Sequence, residues 1–281
     1  MKISSQFLRR ILLSIALSIL PASVFSQTVD LDTAMELLEA DEIEEAVALL
    51  ELLAEGGDPV AQYQLGEIYW QADGGLFNAV EAARLFLLAA EAGLAEAQNA
   101  LAILYLRGIG VETDEVQGAY WQGVAAAQGY VPAQVGIGLR YLNGEGVEQD
   151  ADAARGWFEV AVEQDDPAAA YQLGLIYANG VGVEQDFEAA LAWTQLAADA
   201  GFVAGHYNLG IAYVLGQGIA VDAAQALFHF TVAYLLSGQD IGGPLYAVVQ
   251  DIARQVRTEE GVQRIAAAEA WVEEFLANAE E

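Results

Sequence analysis

The stretch AAYQLGLIYANGVGVEQD, residues 169–186, holds a helix, its stop and the start of the next helix. Ala169, Leu173 and Tyr177 recur every fourth residue, the spacing of one face of an α-helix. Gly174 follows Leu173 on that helix, and its missing side chain lets a neighbouring helix approach closely. Gly180-Val181-Gly182 supplies two residues free to enter left-handed conformations, which end the helix and turn the chain. Asp186 then stands where a side-chain oxygen can accept from the free N–H groups of a following helix.

Outward from this stretch, the pattern recurs with a period of 36 residues and no insertion or deletion. The tyrosine column is Tyr69, Tyr105, Tyr141, Tyr177 and Tyr213, preceded by Leu65, Leu101, Ile137, Leu173 and Leu209. The capping column is Asn78, Asp114, Asp150, Asp186 and Asp222. The second helix of each copy carries Ala82, Gly118, Ala154, Ala190 and Ala226, then Leu85, Trp121, Trp157, Trp193 and His229, then Ala89, Ala125, Ala161, Ala197 and Ala233. This spacing predicts one buried stripe holding a large, mostly aromatic side chain between two small ones. Gly93, Gly129 and Gly201 close three of these second helices. A single pair of such helices, A and B, cannot bury its apolar face, whereas stacked pairs can.

The motif at 169–186, followed by Ala190 and Trp193, resembles the Sel-one-like repeat (SLR) family, relatives of tetratricopeptide repeats. The resemblance covers residues 57–238. It implies an all-α fold: a right-handed α/α solenoid of five 36-residue helix-turn-helix repeats with helical caps. Residues 27–56 are then an N-terminal cap and 239–281 a C-terminal cap. In the latter, Leu245, Val248, Val249, Ile252 and Val256 form one apolar stripe, and Val262, Ile265, Ala268, Val272, Phe275 and Leu276 a second behind a Thr258 N-cap. The two helices either close the array or dock on a partner.

Residues 1–26 read as a secretory signal peptide, with Lys2, Arg9 and Arg10 before the apolar run Ile11–Leu20 and a small-residue site ending at Ser26. An uncleaved signal anchor is the alternative. The remaining chain is expected to be exported, periplasmic or secreted, with no membrane insertion after signal removal. With no Cys, it can carry neither a disulfide nor a cysteine-linked lipid. The whole chain has 41 acidic and 10 basic residues and a net charge of −31. Without its first 26 residues it holds 41 acids against 7 arginines, or −34. Nucleic acid is therefore excluded as a partner, because its binding needs clustered Lys and Arg. A hydrophobic content of 55% excludes disorder for most of the chain.

Catalytic, cofactor and metal sites are not expected. The only histidines are His206, an ordinary helix A residue by its column, and His229, in the buried aromatic column. The Gly-x-Gly pairs recur with the array and lack a following Lys, so they are turns rather than phosphate loops. The rungs Glu112/Asp114, Glu148/Asp150 and Glu184/Asp186 are about 10 Å apart if helix pairs stack at ordinary distance. Ca²⁺ needs oxygens at about 2.3–2.6 Å, so neighbouring rungs do not share an ion.

If the tetratricopeptide geometry carries over, helix A lines a concave groove. One facing row is then Gln71, Arg107, Asn143 and Asn179, suited to hydrogen bonds with an extended peptide. Beside it stand Leu139 and Leu175, and in a third row Tyr171 and Tyr207. These apolar rows serve either inter-repeat packing or a groove for an apolar segment. The expected function is an exported, non-catalytic scaffold or adaptor binding a protein or peptide at a bacterial-type cell envelope. An envelope hydrolase built on the array and a secreted interaction factor are the alternatives.

Overall fold

The computed structural model describes residues 30–71, 77–238, 244–256 and 258–279. The signal segment and the Thr258 cap side chain lie outside the described residues. Fourteen helices and no strand occur among the described residues. No helix there is long and apolar enough to cross a membrane. The architecture is an α/α solenoid of helix-turn-helix repeats, falling into two compact units that divide between Tyr130 and Val131.

The first unit holds α1 (Leu31–Glu39), α2 (Ile43–Glu55), α3 (Pro59–Gln71), α4 (Ala79–Glu91), α5 (Ala95–Arg107) and α6 (Glu115–Ala127), each packed on the next. The second holds α7 (Val131–Asn143), α8 (Ala151–Val162), α9 (Pro167–Asn179), α10 (Phe187–Asp199), α11 (Val203–Leu215) and α12 (Ala223–Leu236). It ends with α13 (Pro244–Gln255) and α14 (Thr258–Ala279), both seated on α12 and touching each other little.

The capping column acts as its chemistry predicts. Asn78 accepts from the Glu81 N–H at 3.2 Å, Asp114 from Gln117 at 3.0 Å and Asp150 from Ala153 at 2.9 Å. Asp186 accepts from both Glu188 and Ala189 at 3.0 Å, and Asp222 from Ala224 and Gln225. The same five residues donate their backbone N–H to the carbonyl of the tyrosine column, Asp186 to Tyr177 at 3.0 Å for example. One residue thus closes the turn and starts the next helix. In the turns, Gly180 (φ 67°) ends α9, and Gly182 (φ 70°) lies so close to the start of α8 that a Cβ on it would fall 2.4 Å from the Ala151 Cβ.

The core departs from the expected stripe by one position. Leu85 and His229 are buried, but Trp121, Trp157 and Trp193 are only half-buried. The rings that fill the helix pairs belong to the next residue: Phe86 and Phe158 are fully buried and Phe230 is 3% exposed. Adjacent residues lie about 100° apart around a helix, and the packing of A on B turns this second column inward. Each ring sits over the glycine of its partner helix. A Cβ would lie 2.7 Å from the Phe86 ring at Gly66, 2.7 Å from Phe158 at Gly138 and 2.8 Å from Phe230 at Gly210. The glycine column therefore makes room for a ring. In the second copy Ala102 stands in the glycine column and Gln122 replaces the ring, so both members change together.

A second hidden column joins consecutive pairs. Buried Gln62 and Gln98 donate their side-chain N–H to the carbonyls of Ala54 and Ala90, both at 3.1 Å, tying helix A to the preceding helix B. Gln128 and Gln164 in turn donate to the carbonyl oxygens of Gln98 and Gln134, at 2.7 and 2.9 Å.

The stripe of α13 follows the sequence reading: Leu245, Val249, Ile252 and Val256 are buried. That of α14 is corrected in part. Ala268 and Val272 are buried, whereas Val262 is 63% and Leu276 52% exposed. Gly261, not Val262, faces inward at the start of the helix.

Candidate functional site

The residues expected to face a groove are found in both units. In the first unit Gln71, at the end of α3, is exposed and donates to Glu67, whose carboxyl burial holds above its ordinary pKa. Tyr63, one turn further back, is pushed up to about 12, first by burial and then by Glu67. Arg107 is exposed at the end of α5 and has no ion-pair partner among the described residues.

In the second unit Asn143 and Asn179 are exposed at corresponding ends of α7 and α9. Both have local partners: Asn143 donates to Glu145 at 3.2 Å, Asn179 to the Leu175 carbonyl at 2.9 Å. Leu139 is half-buried against the cluster around Phe158 and Leu173, which favours packing for that position. Tyr207 lies 5.5 Å from the Phe230 ring and is 39% exposed. Tyr171 takes another course and packs on Phe202 at 5.4 Å.

The structure brings together Leu175 and Asn179. They line a cavity of about 180 Å³, partly open to solvent, between α9, α10 and α11. Gly174, Thr194, Asn208, Ile211 and Gln217 are among the other residues that line it. The Thr194 hydroxyl is spent on its own helix, donating to the Ala190 carbonyl at 2.7 Å. Asn208 and Gln217 were absent from the sequence reading. They come from α11 and the turn after it, and nothing in the 36-residue columns marks them.

The histidines meet in the second unit. His206 is 2% and His229 6% exposed, with their Nδ1 atoms 3.0 Å apart, so one ring donates and the other accepts. His206 is thus a buried polar residue in the glutamine column rather than an ordinary helix A position. Tyr213 stacks on His229 with rings 5.5 Å apart, and Trp271 of α14 packs edge-on to His206 at 4.8 Å. Burial pulls His206 down to about 4, with the Ala198 carbonyl and Asp199 acting the other way. Burial and then His206 pull His229 down to about 3. Both rings are neutral at ordinary pH, and with so little surface neither can meet a substrate. Among the described residues no group of three or more His, Asp or Glu could hold a metal ion.

A Sel1 repeat family model matches residues 30–58, 59–94, 95–130, 131–166, 167–202 and 203–237. The chain is a Sel1 repeat protein. The match counts six repeats, because α1 and α2, expected as an N-terminal cap, form a shortened one. Ala46, Leu49 and Leu50 stand there where the next copy has Ala82, Leu85 and Phe86. This Sel1 repeat protein is similar in structure to a Sel1 repeat protein from Oxalobacter formigenes, at 28% identity and a TM-score of 0.71, covering 86% of this chain and 95% of that one. It is also similar to c5321, described as a protective antigen of uropathogenic Escherichia coli strains displaying an SLR fold, at 29% identity and a TM-score of 0.68. That likeness covers 83% of this chain but 49% of the antigen, so the chain spans about half its length. Among curated proteins, none matches the chain. Sel1 repeats generally mediate protein–protein interaction.

Proposed function

We propose that this Sel1 repeat protein is a non-catalytic adaptor of a bacterial-type cell envelope, binding a protein or peptide along its helix A rows. The observation that carries the reading is the cavity between α9, α10 and α11, where apolar Leu175 and Ile211 stand beside the amides of Asn179, Asn208 and Gln217. Apolar walls with a few polar groups at the rim suit an extended segment: side chains enter the cavity and backbone groups meet the amides. Export rests on the basic, then apolar, then small-residue order of residues 1–26. With a net charge of −31, the partner is basic or neutral.

The test is capture of partners from envelope extract by the full chain and by the double variant Asn143→Ala/Asn179→Ala. Both side chains are exposed and bond only locally, so the variant keeps its melting temperature. Its partner recovery falls. Equal recovery by the two proteins rejects the groove, and turnover of a peptidoglycan or ester substrate that survives repurification rejects the adaptor.

A further inference from the structure

The cavity beside Thr194 exists because three large side chains of the array are missing at once. Ala178 on α9, Thr194 on α10 and Ala212 on α11 stand one, or three, periods from large residues that pack together in their own copies. In one such copy these are Trp70, Phe86 and Leu104, with Phe86 fully buried and edge-on to Trp70 at 6.0 Å. In another they are Leu142, Phe158 and Ile176, with Phe158 fully buried among them. The tyrosine of helix A follows the ring. Tyr63 packs on Phe86 at 5.7 Å and Tyr207 on Phe230 at 5.5 Å, but Tyr171 has no ring at Thr194 and turns to Phe202.

The second copy also lacks the ring, yet there Ala102 and Gln122 refill both positions. At Gly174 and Thr194 both members stay small, and about 180 Å³ is left open. An apolar cavity of about 150 Å³ accommodates benzene. At the rim, the side-chain amides of Asn208 and Gln217 have no hydrogen-bond partner among the described residues.

We propose that this cavity is the specificity pocket of the groove and takes a phenylalanine side chain from a basic segment of the partner protein, the partner's ring standing where Phe86 and Phe158 stand in the sister repeats. The inference rests on the groove reading above. The array itself shows which side chain the space accepts. The opening to solvent means that only part of a ligand is enclosed, which fits a side chain whose backbone continues along Asn208 and Gln217. The strongly negative chain favours Arg or Lys on either side of the ring.

The test uses two amidated peptides on the full-length protein, acetyl-Arg-Arg-Phe-Arg-Arg-amide and its counterpart with Ala for Phe, followed through the methyl NMR signals of Thr194, Leu191 and Ile211. The Phe peptide shifts these signals saturably and binds at least about tenfold more tightly than the Ala peptide, the low end for burying a phenyl ring. Thr194→Phe, which supplies the ring from within, abolishes the difference. Ala178→Trp does the same from a neighbouring helix, so the result does not depend on one variant folding well. Equal binding of the two peptides, in the parent and both variants, overturns the pocket and leaves the groove standing on its own partner-capture test. Absence of binding by the Phe peptide overturns the pocket, and binding of toluene in its place makes the cavity a small-molecule site.

Discussion

Lowering the pH from 7.5 to 5 should destabilise this protein through its two buried histidines. His206 and His229 are the only histidines, and both are held neutral, with pKa values of about 4 and about 3 against 6.5 in an unfolded chain. Below pH 6.5 the unfolded chain therefore binds two protons that the folded one refuses. Stability is complete above 6.5, falls as the pH drops through that value, and levels off only near the folded-state values. At pH 5 each histidine accounts for about 2 kcal/mol, and the pair for about 4 kcal/mol. That is a large fraction of the about 5–15 kcal/mol typical of a domain. The array suggests the control: Gln stands in the His206 column at Gln62, Gln98 and Gln134, and Trp in the His229 column at Trp121, Trp157 and Trp193. Urea unfolding at constant ionic strength, from pH 7.5 to 5, should show the loss in the parent and a nearly flat profile in His206→Gln/His229→Trp. Two imidazole NMR signals, unmoved over the same range while the protein is folded, would confirm the cause. A flat profile in the parent, an equal slope in the double variant, or imidazoles titrating near 6.5 would refute the reasoning.

Three further outcomes follow from the packing. Gly138→Ala puts a Cβ 2.7 Å from the Phe158 ring and should cost about 1–3 kcal/mol in urea melts. Adding Phe158→Gln, which recreates the Ala102/Gln122 pair, should recover part of that loss, and additive losses would show the two sites to be independent. Asp186→Ala removes the acceptor of two N–H groups and should lower stability by about 1 kcal/mol, whereas Asp186→Asn, the chemistry of Asn78, should cost much less. Gln98→Leu leaves the Ala90 carbonyl and the Gln128 amide without their partner, and a loss of about 1–3 kcal/mol should appear in thermal melts.

The helices, their stops and their caps were legible because each is set by residues within a few positions of one another. The Asp column begins α6, α8, α10 and α12, and the glycine pair turns the chain, for reasons present in any one copy. Register across five copies identified the array and, through the motif at 169–186, its family. The shortened first repeat lay outside this, because α1 and α2 lack the tyrosine and Asn/Asp columns by which the others are found.

For the candidate site the row at Asn143 and Asn179 was legible as exposed amides, but their local bonds and the burial of Leu139 were not. Helical spacing by itself determined which residues share a face, and so the repeat, the turns and the caps. The tertiary structure decided which of two adjacent columns points inward, because the packing of A on B selects Phe158 over Trp157. It also decided where space remains. The cavity beside Thr194 is the combined effect of Ala178, Thr194 and Ala212 from three helices, and three small residues become a pocket only where the chain folds their sites together.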